Sequence, residues 1–160
     1  MGATKKPRKA YRPKPRFQSP LEYVLESSKP LAEHDDYVLK WSLKNHAAFG
    51  ALMTGQATKA ELDTMVAARN IVEALIVTLK GKDTDGTLDR SSCALIEICD
   101  RASDGKGTAM KAAEMQAMRD LLGLHDELLA VVSVRQFDQA LTWARREISA
   151  GRAATLKEPK

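Results

Sequence analysis

The sequence predicts an all-α protein, a bundle of about five helices behind an extended or disordered basic N-terminal arm. Three observations predict it. Aromatic residues make up only 5% of the chain, while Ala, Leu, Met and Glu, which lose little rotamer freedom in a helix, are frequent. Apolar residues recur at three- and four-residue spacing between recognisable caps, and no segment alternates, or runs rich in Val and Ile, as a strand would. The first 20 residues instead hold seven cations and four prolines without one acid.

The arm, residues 1–18, comes first. The formal net charge is +4, but Lys5, Lys6, Arg8, Lys9, Arg12, Lys14 and Arg16 alone contribute +7, which leaves the other 140 residues at −3. The basic character therefore belongs to the arm, and the body is mildly acidic. Pro7, Pro13, Pro15 and Pro20 remove backbone donors and bias their predecessors away from helix. With so little apolar surface to bury, the arm is expected to be extended or disordered in the free protein.

The helical domain is expected over residues 19–152, with a frayed tail at 153–160. Ser19-Pro20 reads as an N-cap followed by proline at the first helical position, opening a short helix through Glu26 that Lys29-Pro30 ends. From Asp35 to Met53 the stripe is expected to be Leu39, Leu43, Phe49 and Met53, with Gly55 as the stop. Thr58-Lys59-Ala60-Glu61 is a capping box. It opens a helix striped by Leu62, Met65, Val72, Ile76 and Leu79, which Gly81 terminates. Val66, Ile71, Leu75 and Val77 make the same helix apolar around most of its circumference. Such a helix is central in a bundle, or meets a second copy in a homodimer.

After a turn at 82–86, Thr87 is expected to cap a helix carrying Leu88, Ala94, Leu95, Ile98 and Ala102. Thr108 then starts a helix that Gly123 kinks or splits, and Ser133-Val134-Arg135-Gln136 caps a last one through Phe137, Leu141, Ala144 and Ile148 to Gly151. Cys93 and Cys99 lie on different faces of one helix, read as small core or near-core residues, and cannot form a local bridge.

Catalytic signals are wanting. His34, His46 and His125 form no pair one helical turn apart, so no metal site is expected. His46 reads as a partly buried, hydrogen-bonded histidine. Asp83-Thr84-Asp85-Gly86 resembles part of a calcium loop, but that register puts Ser92 where the bidentate Glu belongs. Gly105-Lys106-Gly107-Thr108 lacks the Gly-Lys-Ser/Thr order and the upstream strand of a phosphate-binding loop. Neither an enzyme nor a cofactor is expected. No stretch approaches the roughly 18 to 20 apolar residues of a membrane span, and the N-terminus has no apolar region behind its charges, so a cytoplasmic protein without membrane contact is expected.

The leader Lys5-Lys6-Pro7-Arg8-Lys9-Ala10-Tyr11-Arg12-Pro13-Lys14, the run Met118-Arg119-Asp120-Leu121-Leu122 and the helix Ser133 to Arg146 resemble small proteobacterial proteins encoded on prophages and mobile elements. The resemblance implies a bacterial cytosolic accessory protein and supplies no catalytic residue. The residues themselves point to nucleic acid, DNA or RNA. Lys5, Lys6, Arg8, Lys9, Arg12, Lys14 and Arg16 suit phosphates, and Tyr11 and Phe17 can stack on exposed bases. The expectation is a non-enzymatic accessory protein whose arm gives nonspecific nucleic-acid affinity and whose body binds a partner. The alternative is a pure protein-interaction module, an inhibitor or adaptor of host machinery, with the arm merely solvated or clamped onto an acidic protein.

Overall fold

The computed structural model describes residues 20–153; the arm and its residues from Lys5 to Phe17 lie outside them, as does most of the expected tail. The described residues are all-α: α1 (Pro20–Ser27), a single 3-10 turn (Leu31–Glu33), α2 (Asp35–Met53), α3 (Lys59–Thr78), α4 (Thr87–Ser103), α5 (Ala112–Val131) and α6 (Val134–Ser149). Five long helices thus follow one of two turns, and the expected bundle is present.

The caps set the boundaries. Thr58 Oγ1 accepts from the Ala60 N–H at 3.2 Å while Glu61 Oε2 accepts the Thr58 N–H at 2.7 Å, so two of the orphan donors at the start of α3 are satisfied. At its far end the left-handed residue is Lys80 (φ 56°), not Gly81, whose N–H closes the turn onto Ile76 O at 2.9 Å. Ser133 and Gln136 start α6 as expected, and Gly151 ends it with φ 67°. Thr87 does not cap α4. It is the first helical residue, behind left-handed Gly86, and the Asp83 carboxylate accepts the N–H groups of Thr87 and Leu88 at 2.9 Å each.

Nor does α5 begin at Thr108. Thr108 is buried and donates to Ala57 O at 3.2 Å, tying its loop to the start of α3. The helix opens four residues later, where buried Glu114 accepts the Lys111 N–H at 2.7 Å. Arg101 grips the same carboxylate with both terminal nitrogens, at 2.5 and 2.7 Å. Burial pushes Glu114 upward, but Arg101 and the Lys111 N–H outweigh it and hold this carboxyl below the usual range. Gly123 does not split α5, which is continuous through it.

Helix α3 packs against α2, α4, α5 and α6, so its apolar circumference is largely covered within one chain. One core cluster joins Phe49, Leu52, Met65, Val72, Ile98, Met118 and Leu121. The other joins Leu31, Ile71, Leu75, Leu129, Val132, Phe137 and Ala144, with Trp41 edge-on to Phe137 at 6.1 Å. On α2 the expected stripe is rotated: Leu39, Leu43 and Met53 are exposed, and Trp41, Asn45, Ala48, Phe49 and Leu52 face inward. Cys93 is also exposed, and only Cys99 packs near the core.

Between α1 and α2 the chain is pinned to the loop before α6. The Leu31 N–H donates to Val132 O at 2.8 Å and the Val134 N–H to Lys29 O at 3.1 Å. This holds α1 beside α6.

Candidate nucleic-acid interface

Helix α6 buries Phe137, Ala140 and Ala144 along one face. The remainder is polar by the same periodicity, and Arg135, Asp138, Gln139, Thr142, Arg145 and Arg146 are exposed. Among the described residues Arg135, Arg145 and Arg146 make no ion pair, whereas Arg152 grips Glu147 through two nitrogens at 2.7 Å. Asp138 is the acid set among the free arginines.

A groove of about 770 Å³ runs between α1, α3 and α6. Tyr23 and Val24 line it from α1, Val77 and Thr78 from α3, and Arg135, Asp138, Trp143 and Arg146 from α6. Tyr23 is 45% exposed and Trp143 is partly buried against the second cluster. Helix α1 begins at Pro20, directly after the arm.

The expected contacts Lys5, Lys6, Arg8, Lys9, Tyr11, Arg12, Lys14 and Arg16 all lie outside the described residues. Sequence reasoning missed Arg135, Arg145 and Arg146. Their signal was available: an Arg-Arg pair on the polar face of a strongly amphipathic helix, with Arg135 inside the capping box.

A second polar constellation lies between α2 and α5. His125 is fully buried in the stripe Leu121, Leu122, Leu128, Leu129, and both ring nitrogens are engaged. Its Nδ1 lies 3.2 Å from Asp126 Oδ1 and its Nε2 3.2 Å from Asn45 Nδ2. A carboxylate only accepts and an amide nitrogen only donates, so the ring is the neutral tautomer with its proton on Nδ1. Asp126 also accepts from Ser42 Oγ and His46 Nε2, each at 2.8 Å.

Burial holds His125 below the usual imidazole range against the opposing pull of Asp126. Asp126 is pushed up by burial, but the bonds from His46, Ser42 and His125 outweigh that and hold it below the usual carboxylate range. The Ser42 hydroxyl donates to the carboxylate and not to an imidazole. The arrangement thus joins two helices through satisfied polar groups and does not prepare a hydroxyl for attack. His46, expected to be partly buried, is exposed, though hydrogen-bonded as expected. No protein-family model, no curated protein and no solved structure matches this chain.

Proposed function

We propose that this protein is a non-enzymatic nucleic-acid-binding accessory protein, in which the N-terminal arm supplies most of the affinity and the helical body carries the arm. One observation carries the reading. The seven cations of the arm precede Pro20, where the helix that packs beside α6 begins, and Arg135, Arg145 and Arg146 of α6 make no ion pair among the described residues. Seven cations in one segment of an otherwise acidic chain attract a polyanion and release its condensed counterions. The resemblance to mobile-element proteins adds the expectation of a bacterial cytosolic setting.

Salt titration on duplex DNA tests it. Seven phosphate contacts from the arm give a log-log slope no steeper than roughly −6. Deleting residues 1–18 removes nearly all duplex binding; a truncated chain that binds as tightly as the full one overturns the reading.

The alternative, a protein-interaction module, is favoured by Leu39 and Leu43, exposed at 63% and 66% one helical turn apart on α2. A stoichiometric protein partner that survives nuclease treatment of a bacterial lysate supports it. A homodimer through the same leucines appears in light scattering as doubled mass, lost in Leu39→Glu with Leu43→Glu.

A further inference from the structure

The α1, α3 and α6 groove presents more than charge. Tyr23 and Trp143 line it together with Arg135 and Arg146, and Gln139 and Thr142 add neutral donors between the two arginines. Arg135 and Arg146 are eleven positions apart on one helix. At 1.5 Å per residue their backbones are roughly 16 Å apart along the axis.

We propose that this groove selects single-stranded over duplex nucleic acid, Tyr23 and Trp143 stacking on bases while Arg135 and Arg146 hold the phosphates at either end. The inference rests on the nucleic-acid reading above and adds the strand class to it. In a duplex the base faces are covered by their neighbours, so aromatic side chains gain nothing from it, whereas phosphates are offered by both forms. Aromatics beside cations in one groove therefore discriminate where cations alone do not. Charge complementarity also excludes the chain's own arm as occupant, since that arm is as basic as the arginines. Asp138 faces the same groove and opposes any phosphate there, which makes it an internal control.

The test uses the full chain with a labelled twelve-nucleotide oligo-dT and a duplex of the same length, followed by fluorescence anisotropy across salt. Tyr23→Ala weakens oligo-dT binding about tenfold, within the range for losing one base stack, and changes duplex binding less than about twofold. Arg146→Ala, on an exposed side chain unable to disturb the core, lowers the single-strand salt slope by about 0.7. Asp138→Asn tightens oligo-dT.

Equal losses on both probes for Tyr23→Ala, or an unchanged slope for Arg146→Ala, overturn the groove assignment while leaving the arm reading intact. Failure of the unmodified chain to bind either probe overturns the arm reading itself. An acidic peptide whose binding is lost in Arg146→Ala while oligo-dT binding is not, and which does not compete with oligo-dT, assigns the groove to a protein partner and overturns the proposal.

Discussion

His125 shows what a buried titratable residue costs when it is fully satisfied. In the folded chain burial keeps the ring neutral, whereas in the unfolded chain it protonates near its ordinary value of 6.5. Below that value the unfolded state binds a proton that the folded state refuses, so stability falls as pH falls, by up to about 1.4 kcal/mol per unit. Asp126 is held below its ordinary 3.8, so its contribution is lost only in stronger acid and in the same direction. Urea melts at pH 7, 6 and 5 should show the decline, and His125→Gln, which can still donate to Asp126 and accept from Asn45, should flatten it. An equal slope in the variant would mean that another group titrates. The burial of His125 had a signal in the sequence, the stripe Leu121, Leu122, Leu128, Leu129 at three- and four-residue spacing around it, but the partly buried histidine was expected at His46 instead. The partner of His125 did not show, because Asn45 lies 80 positions away and only tertiary packing brings the two together.

At the scale of the helix, capping boxes were readable and side-chain loans across loops were not. Thr58 with Glu61, and Ser133 with Gln136, act within one turn, so local chemistry alone marks them. Asp83 reaches α4 from outside the helix, and Thr108 spends its hydroxyl on Ala57, so neither boundary follows the nearest Thr. The rotated stripe of α2 has a similar cause: Asn45 sits in the inward row for the sake of His125 and breaks the apolar pattern that would have pointed to Trp41 and Leu52.

Helix α5 offers a direct test of local cost. Gly123 is exposed in mid-helix, and a Cβ built there meets nothing within 4 Å. Gly123→Ala should therefore raise stability by about 1 kcal/mol, the difference in helix propensity, read as a higher midpoint in urea. A loss instead would show that helix propensity does not govern this position.

For the whole molecule the question is where stability resides. Every buried apolar residue of the two clusters falls between Leu31 and Ala144, and α3 contributes to both. That a helix apolar all round is the centre of the bundle was legible. The pairing of α1 with α6, which builds the groove, was not, because it joins segments more than 100 residues apart through backbone bonds at Leu31 and Val134. Leu75 is fully buried in the second cluster, so Leu75→Ala should cost about 2 to 5 kcal/mol. A domain of this size holds only some 5 to 15 kcal/mol, so that loss is a large fraction of the total. Removing residues 1–18 deletes no residue of either cluster and should change stability by no more than about 0.5 kcal/mol, as surface changes do. Parallel thermal melts of the two variants decide between the arm as a separable binding unit and the arm as a structural strap. A fall of many degrees on truncation would mean that Tyr11 or Phe17 packs on the bundle. Those aromatics would then be spent on folding, and the nucleic-acid reading would lose the stacking it assigns to them.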